Sequence, residues 1–562
     1  MAQAVAAAGV RRDAAYLVLI SLCALLVGVP LLQGKLTSGH DAGEYNVRLA
    51  EFERVFRDGD LFPRWAPDVD FGYGSPIFVF LPPLVYYLAL IPRVLGADPI
   101  NALNITGLCL IILSGAGMYL FARTLYTGEG ALLAGLAYLC APFFLVTLYV
   151  RHAFTDFAAL ALLPFCFWSL LRLLRPGGRV YFTLGAISTA LLVLSSYSLA
   201  LITLPALILF VVLSTILSGR LHALAPVFLA PVLGMLISAA AWLPAIVERG
   251  MVHSERLLQG ENYFYANHFV YLSQLLFSPW GYGVSVAGLA DGFSFAVGFA
   301  PLLLVALGLL AAWQSPSRAL VLAMLAVWVF ACLMCLDTAR PLWDALSVLQ
   351  YLQFPWRYLA LAAFAFSALA GAATYLARTA PTRLGVAVMG ALLLLSEQLP
   401  HARPEQLYSA SASEFSPVVI AARNLLATDA DEYQPVQVRQ APTKPAVTKL
   451  EPLEPSLTVQ EASIQSEKYQ WRLDAQAETR ARINVFAYPM WRAYVDGSAT
   501  AIDSEPNSGL MLVTLPAGEH VLMLRVEETG DQLLGKWLSL LGVLACVTTM
   551  LSGLIDPLWR RW

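Results

Sequence analysis

Thirteen apolar segments, separated by short polar turns, constrain the fold of this chain more than any other feature of its sequence. Most approach the roughly 20 residues that a helix needs to cross the hydrocarbon core of a bilayer. Only 13% of the 562 residues are charged, whereas soluble proteins carry about 25%. The sequence therefore predicts a polytopic α-helical membrane protein, and it excludes a soluble enzyme and a disordered chain. The segments lie near residues 14–33, 77–92, 101–122, 130–149, 156–174, 181–194, 198–217, 223–245, 296–313, 319–336, 357–379, 384–400 and 534–555.

The charged residues are concentrated in two stretches. Residues 35–76 and 401–532 together hold 42 of the 73 charged residues, so the other 388 residues share only 31. We therefore expect a membrane module over 1–400, whose first loop (residues 35–100) is polar. A C-terminal domain over 401–532 should follow, and a last spanning helix and short tail over 533–562 should complete the chain.

Basic residues predict the orientation of the helices, because Lys and Arg accumulate on the cytoplasmic side. Arg11 and Arg12 place the N-terminus inside, and the apolar run to Leu32 is long enough for a retained first span rather than a cleaved signal. The 77–92 segment contains Pro82-Pro83 and is short, so we expect it to lie at the outer face without crossing. Twelve spans then result, with both termini cytoplasmic and the polar regions outside the plasma (inner) membrane; the alternative is that 77–92 spans and a later segment does not. The other residues expected inside are Arg172, Arg175, Arg179, Arg220, Arg318, Arg378, Arg383, Arg560 and Arg561.

Several functions are excluded by what the sequence lacks. The net charge of −3 argues against a nucleic-acid binder, and no phosphate-binding or dinucleotide-binding glycine motif indicates a nucleotide site. All seven cysteines fall in apolar runs, so no disulfide framework is expected. Cys332 and Cys335 form a CxxC spacing within VFACLMCLD, which favours membrane packing over a redox or metal role.

Two acids stand just after the first span. Residues 43–57 have the 3–4 spacing of an amphipathic helix, and Asp41 and Glu44 lie at its head, where both benefit from the helix dipole. One interpretation is a capping box in which both acids serve the helix end. The other is chemistry, because a carboxylate at a membrane exit lies at the depth of lipid headgroups.

Further candidate residues occur in the other polar turns. Aromatic, Gly and Pro residues near Arg64, Trp65 and Tyr73 suit either sugar stacking or the bilayer interface. The 150–156 turn carries Arg151, His152 and Asp156, which are either functional groups at membrane depth or parts of a helix cap that includes Thr155. The third loop (residues 246–295) and the 353–357 motif add Arg256, Tyr265, His268, Trp356 and Arg357. The histidines of the third loop lack the spacing of a zinc site. Arg357 either snorkels to the interface or binds a phosphate.

Seven motifs follow one another along the chain: His40-Asp41, Glu44-Tyr45, Phe62-Pro63-Arg64-Trp65, Gly72-Tyr73-Gly74-Ser75-Pro76, Pro82-Pro83-Leu84, Ser278-Pro279-Trp280 and Phe354-Pro355-Trp356-Arg357. Taken together, these motifs resemble those of the membrane glycosyltransferases of the GT-C fold. A bacterial branch labelled as related to 6-pyruvoyl-tetrahydropterin synthase is similar in the order of its motifs, and the stretch from Tyr488 to His520 resembles the outer domain of YfhO-like membrane proteins. The chain departs from this pattern at Asp156, where Glu is more usual, and at Ser196, where a histidine often stands.

The resemblance implies an inverting transfer of a sugar from a polyprenyl-phosphate donor to a glycan, lipid or protein acceptor outside the membrane. Asp41 would be the general base, with Glu44 and Asp156 as further catalytic residues that orient the acceptor, and Arg151, Arg256 and Arg357 would hold the donor phosphate. No cofactor is required; a divalent metal such as Mg²⁺ or Mn²⁺ held by Asp41, Glu44 and Asp156 is the alternative. Substrate and lipid contacts are expected from His40, Tyr45, Arg64, Trp65, Tyr73, His152, Tyr265, His268 and Trp356.

Two other functions are compatible with the sequence, namely a transporter and a scaffold. A flippase or transporter of lipid-linked glycans would show internal repeats and charges in mid-helix, and a scaffold would tolerate loss of Asp41. We expect Asp41 to line a cavity open to the membrane and to the outside.

In the C-terminal domain, alternating runs near 482–486, 510–515 and 520–526 predict a small antiparallel sandwich, and 427–460 predicts an extended linker or partly ordered loop.

Overall fold

The computed structural model describes residues 2–174, 179–219, 224–260, 262–428 and 430–555. Several basic residues that were expected on cytoplasmic turns lie outside these ranges, namely Arg175, Arg220, Arg560 and Arg561, and so does the side chain of Arg179.

Helices account for most of the first 400 residues and, together with the last helix, α21, they cover the thirteen apolar segments. The first half contains α1 (Ala2–Val27), α2 (Ala42–Arg57), α3 (Ile77–Phe80), α4 (Leu84–Val94), α5 (Pro99–Ala122), α6 (Gly128–Leu139), α7 (Pro142–Leu145), α8 (Phe154–Leu173), α9 (Arg179–Ser195), α10 (Tyr197–Ser218) and α11 (Leu224–Ile237). The rest contains α12 (Ala239–Val247), α13 (Leu272–Leu276), α14 (Phe299–Ala312), α15 (Arg318–Cys335), α16 (Arg340–Ala345), α17 (Ser347–Gln350), α18 (Leu359–Gly371), α19 (Ala380–Gln398), α20 (Pro417–Arg423) and α21 (Gly530–Ile555).

Seven helices in the described chain are long and apolar enough to cross a membrane, and nine when two bent pairs each count as one span. One bent pair is α6 with the segment from α7 to Val150, at 46°, and the other is α11 with α12 and the turn after it, at 73°. Three shorter apolar helices, α4, α9 and α14, accompany them. The protein is therefore a polytopic helical protein, while the total of twelve spans stays a prediction.

The 77–92 segment is divided into two short helices. Pro82 and Pro83 lie between α3 and α4, where proline removes a backbone donor and disfavours the helical conformation of the residue before it. The 11 residues of α4 cover only about 16 Å, roughly half the hydrocarbon thickness. This length supports the prediction that the segment does not cross.

The C-terminal region forms an antiparallel β-sandwich between residues 450 and 526, as the alternating pattern predicts. One sheet has the strand order β3-β6-β10-β9 and the other β4-β5-β11-β7-β8, and all their pairings are antiparallel. The predicted runs correspond to three of these strands. The strands are β3 (Leu450–Pro452), β4 (Leu457–Ile464), β5 (Lys468–Ala475), β6 (Thr479–Phe486), β7 (Trp491–Val495), β8 (Ser498–Thr500), β9 (Asp503–Ser504), β10 (Leu510–Leu515) and β11 (Gly518–Val526).

The first loop is fixed to the C-terminal region. A two-residue strand β1 (Leu36–Thr37) pairs with β2 (Leu407–Tyr408), and the buried rings of Trp65 and Trp491 meet edge to face with 5.6 Å between their centroids. The ring of Tyr73 stacks on that of Phe486 at 5.7 Å. The first loop and the sandwich therefore share one hydrophobic core.

The segment that joins α20 to the sandwich has little regular structure, as predicted for 427–449, but it is not a loose linker. The predicted linker over 427–460 is wrong from residue 450 onward, where β3 and the first residues of β4 lie. The carbonyl of Ala427 accepts a hydrogen bond from Arg48 Nε at 2.5 Å, and that of Tyr433 accepts one from the Ser75 hydroxyl at 3.1 Å. The carbonyl of Gln434 accepts from the backbone amide of His253 at 3.0 Å. The segment thus lies between α2, the first loop and the third loop.

Candidate functional site

The start of the first loop lies directly against the 150–156 turn. The backbone amides of His40 and Asp41 donate to the carbonyls of Val150 and Arg151, both at 3.0 Å. A short π-helical turn, Val146–Val150, precedes the turn, and His152 adopts a left-handed conformation with φ of 55°. Asp41 and the Arg151–Asp156 stretch therefore occupy the same end of the helical bundle.

The two acids at the head of α2 do not form a capping box. Asp41 is the residue before α2, yet its side chain makes no capping hydrogen bond. Glu44 instead forms an ion pair with Arg48, one helical turn later, and the Arg48 guanidinium lies over the ring of Tyr45 at 5.3 Å. The capping interpretation is wrong, because the Asp41 backbone amide, which a capping box would bond to Glu44, donates to the Arg151 carbonyl instead.

Asp156 is the centre of what we call the arginine–carboxylate cluster (Arg151, Asp156 and Arg357). Arg151 Nη2 donates to Asp156 Oδ2 at 2.9 Å, and Arg357 Nε lies 3.7 Å from the same oxygen. The Ser196 hydroxyl donates to Asp156 Oδ1 at 2.8 Å. All three charged side chains are at most 14% exposed. Two guanidinium groups share one carboxylate, so the cluster carries a net positive charge.

The cations of this cluster are also held by aromatic rings and hydroxyl groups. The Arg151 guanidinium lies 4.9 Å above the ring of Trp356, which stacks on Phe354 at 4.8 Å. Arg357 Nη1 donates to the Ser198 hydroxyl at 3.1 Å. The ring of His268 meets Phe354 edge to face at 4.8 Å, so His268 lies at the edge of the site.

The remaining residues brought together here have defined partners. Tyr45 shares a 2.6 Å hydrogen bond with the Thr155 hydroxyl, which ties α2 to the start of α8. His152 is buried with its Nδ1 2.8 Å from Thr37 Oγ1, and burial lowers the pKa of its imidazole to about 3. His152 is therefore neutral at physiological pH and adds no charge for a phosphate. His40 is exposed, with Nε2 3.0 Å from the Tyr282 carbonyl.

Other predicted site residues lie elsewhere. Trp65 and Tyr73 belong to the core shared with the sandwich, and Arg64 Nη2 donates to the Ala240 carbonyl at 2.6 Å. Arg256 donates to the Asp431 carbonyl at 3.0 Å. Tyr265 stacks on Trp343 at 5.7 Å and hydrogen-bonds Asp344. The geometry gathers around Asp41 the following predicted residues: His40, Glu44, Tyr45, Arg151, His152, Asp156, His268, Trp356 and Arg357.

Two cavities of the described chain lie away from Asp41. One, of about 10 Å³, is lined by residues that include Asp70 and Gln434. The other, of about 330 Å³, opens on the sandwich beside Tyr488 and Arg492. The expected cavity around Asp41 thus stays a prediction. Among the described residues, no three His, Cys, Asp or Glu side chains lie together as metal ligands would, and a metal at Asp156 would compete with two guanidinium groups.

Sequence reasoning did not assign roles to Ser196, Ser198 and Arg48. Ser196 is the N-cap of α10 and its hydroxyl accepts from the Leu199 amide at 3.2 Å, a position that the serine before the apolar run could have indicated. It stands where the resemblance leads one to expect a histidine. Arg48 is four residues after Glu44, a spacing typical of helix ion pairs.

Comparison with known proteins gives no family: no protein-family model and no curated protein matches the chain. Several solved structures are similar to this chain, among them the three that follow. The oligosaccharyltransferase of Archaeoglobus fulgidus in its apo form is 15% identical, with 69% of this chain and 55% of that chain covered and a TM-score of 0.46. The archaeal oligosaccharyltransferase AglB from the same organism, in complex with an inhibitory peptide and a dolichol-phosphate, is 14% identical with the same coverage and a TM-score of 0.41.

Arabinofuranosyltransferase AftD from Mycobacteria is 14% identical, with 73% of this chain and 27% of that chain covered and a TM-score of 0.42. The chain therefore spans about half the length of the archaeal enzymes and about a quarter of AftD. The sequence resemblance to the YfhO-like branch stays a prediction.

Proposed function

We propose that this protein is a membrane glycosyltransferase that moves a sugar from a polyprenyl-phosphate donor to an acceptor outside the membrane. One observation carries the proposal. A carboxylate, Asp41, stands at the head of α2 and is joined by its backbone to the turn that bears Arg151, within an end of the bundle where two buried arginines share one carboxylate. A base thus lies beside a site with net positive charge.

The reaction requires both features. The acceptor hydroxyl attacks the anomeric carbon and forms the new glycosidic bond, while the bond from that carbon to the phosphate oxygen breaks. The polyprenyl phosphate leaves with the bonding electron pair, and the acceptor's proton passes to Asp41 as general base. Arg151 and Arg357 would stabilise the charge that develops on the departing phosphate.

Asp156 then has a different role from the expected one, which was to orient the acceptor. Its oxygens are held by Arg151, Arg357 and Ser196, so it serves to orient the cations. Arg256, which hydrogen-bonds the 431–434 segment, is removed from the donor site in this proposal.

The proposed topology follows from the same contact. Asp41 and Arg151 are hydrogen-bonded neighbours, so an even number of crossings must separate them. If α5 and the bent α6–α7 pair cross, the short α4 does not, and the site faces outward with both termini cytoplasmic. Polar groups of the site would then meet the donor phosphate at headgroup depth in the plasma membrane.

The test is transfer from a panel of polyprenyl-phosphate sugars to candidate glycan, lipid and protein acceptors, with release of polyprenyl phosphate as the measurement. Asp41→Asn should lower the rate on the order of 10²–10⁴-fold, the usual contribution of a general base, and leave donor binding unchanged. Glu519→Gln, an exposed carboxylate of the sandwich, is the matched control. Wild-type rates in Asp41→Asn would refute the assigned base, and absence of release with every donor would favour a transporter or scaffold.

A further inference from the structure

Large apolar side chains are exposed on two short helices, α13 in the third loop and α17 just before the 353–357 motif. Phe277 is 84% exposed and Leu272 63%, and both belong to or adjoin α13. Leu346 and Val348, at the start of α17, are 46% and 51% exposed. We call these residues, together with Leu276, the apolar rim. In water, such a group would be a costly exposed patch.

The apolar rim lies at the ends of two apolar helices of the bundle. The amide of Val270 donates to the carbonyl of Cys335, the last residue of α15, at 2.9 Å. The amide of Val297, two residues before α14, donates to the carbonyl of Leu275 at 2.9 Å. The α13 part of the rim is therefore fixed at the level where α14 begins and α15 ends, and α17 begins only twelve residues after the end of α15.

The exposed apolar surface of these helices continues into the apolar rim. On α14 the exposed side chains include Phe299, Leu303 and Leu310, and on α15 they include Leu322, Val329 and Leu333. Their spacing of four and seven residues places each set on one helical face. Because α15 is apolar and long enough to cross a membrane, this face is the one that meets lipid.

The length of α14 gives a second reason. Its 14 residues rise about 21 Å, whereas the hydrocarbon core is about 30 Å thick. The far end of α14 offers no extra apolar length, because Trp313 there is followed by Gln314 and Ser315 and lies under the Arg318 guanidinium at 4.9 Å. The missing apolar length must therefore come from the other end, where α13 lies.

We propose that the apolar rim is immersed in the leaflet on the side of the candidate site, as interfacial helices are. Its partner is the lipid bilayer itself. Part of what the sequence presents as a polar outer loop is then a membrane-contacting surface. Because α17 is followed within ten residues by Trp356 and Arg357, lipid at the rim would lie beside the arginine–carboxylate cluster. This inference does not depend on the transferase proposal.

The experiment uses the unmodified protein in nanodiscs that contain phospholipids with a photoactivatable group on the acyl chain. After illumination, mass spectrometry of peptides locates the attached lipids. Peptides 271–278 and 342–351 should carry several-fold more lipid than the peptides of the sandwich, and of the segment just before it, that hold Val447, Val459 and Ile464. These three are exposed apolar residues as well, at 100%, 38% and 41%, so they control for exposure alone.

The labelling is repeated at low and high protein-to-lipid ratios, with a zero-length protein crosslinker present. This comparison distinguishes lipid at the rim from a second copy of the protein. Lipid labelling of the apolar rim that is the same at both ratios supports the proposal. Labelling no higher than in the sandwich peptides overturns it. A second copy of the chain could cover the surface instead. Lipid labelling of the rim would then fall at the high protein-to-lipid ratio while crosslinks between chains form through α13 or α17, and this result would also overturn the proposal.

Discussion

A Cβ atom on Gly39 would lie 2.3 Å from the Cβ of His152, far closer than two such carbons approach in proteins. The absence of a side chain at Gly39 therefore lets the loop that carries Asp41 pack against the turn that carries Arg151. The site depends on this contact, because the loop on one side of it carries Asp41 and the turn on the other side carries Arg151.

Gly39→Ala should separate the two halves of the site. Overpacking of this kind costs about 1–3 kcal/mol, and a displacement of about 1 Å at a reacting group lowers rates about 10²-fold. We expect the transfer rate to fall about 10²-fold in an assay of polyprenyl phosphate release. The free energy of unfolding should fall by about 1–3 kcal/mol.

Gly43→Ala is the matched control, because a Cβ there meets nothing within 4 Å. Gly43 lies in the first turn of α2, where alanine favours the helix by up to about 1 kcal/mol. This variant should keep wild-type activity. Full activity in Gly39→Ala would show that the contact does not position Asp41.

The arginine–carboxylate cluster should be sensitive to loss of its single acid. Asp156→Asn leaves Arg151 and Arg357 buried without a counter-charge, and breaking a buried ion pair costs about 3–5 kcal/mol. Ser196→Ala removes one hydrogen bond and an N-cap and should cost about 1–2 kcal/mol. Thermal unfolding in detergent measures both variants.

The control for charge removal is Asp503→Asn. Asp503 pairs with Arg480 at 3.3 Å on the sandwich surface, where the side chains are 65% and 49% exposed, and such pairs contribute at most about 1 kcal/mol. Equal stability of Asp156→Asn and Asp503→Asn would mean that Arg151 and Arg357 find other partners.

Glu51 should make stability depend on pH. Burial raises the pKa of its carboxyl from 4.5 to about 8, against opposing effects of Arg54 and Lys449. The folded protein therefore holds a proton on Glu51 that the unfolded chain has released, so the free energy of unfolding falls as pH rises from about 4.5 to about 8. Burial also lowers the pKa of Lys449 to about 8, which restores stability only above that pH.

Glu51→Gln should remove this fall, since the amide does not titrate and can still accept the 2.8 Å hydrogen bond from the Asp68 amide. The measurement is the thermal midpoint of both proteins from pH 5 to pH 8. The wild-type midpoint should drop relative to the variant by an amount that corresponds to a few kcal/mol at most. Parallel curves would mean that Glu51 is already ionised in the folded protein.

The local elements were predictable from the sequence because each depends on residues close together in the chain. The helix at 42–57 follows from its 3–4 spacing, the strands of the sandwich from their alternation, and the break at Pro82-Pro83 from proline geometry. The sequence also predicted that Asp41 and the 150–156 turn lie on the same side, because the basic residues Arg11, Arg12 and Arg172 were expected on the opposite, cytoplasmic side.

Long-range contacts were not predictable in this way. Trp65 resembles a sugar-stacking residue in sequence, yet it is buried against Trp491, more than 400 residues away. The hydrogen bond between Ser196 and Asp156 likewise joins residues on separate helices. No local pattern distinguishes a buried tryptophan or a capping serine from one that binds a substrate.

Glu248 should act as the junction between the membrane module, the sandwich and the last helix. This fully buried carboxylate at the end of α12 accepts hydrogen bonds from the Tyr488 hydroxyl at 2.7 Å, from the Thr529 hydroxyl at 2.6 Å and from Gln532 Nε2 at 3.1 Å. Glu248→Ala leaves these donors buried without an acceptor, at about 1–3 kcal/mol for each, so hydrogen exchange in the 486–491 and 526–533 peptides should accelerate strongly. Tyr488→Phe removes one donor and should have a smaller effect, while Glu255→Ala, whose side chain is 52% exposed, should have none. Unchanged exchange in Glu248→Ala would show that the sandwich is held by the first loop alone.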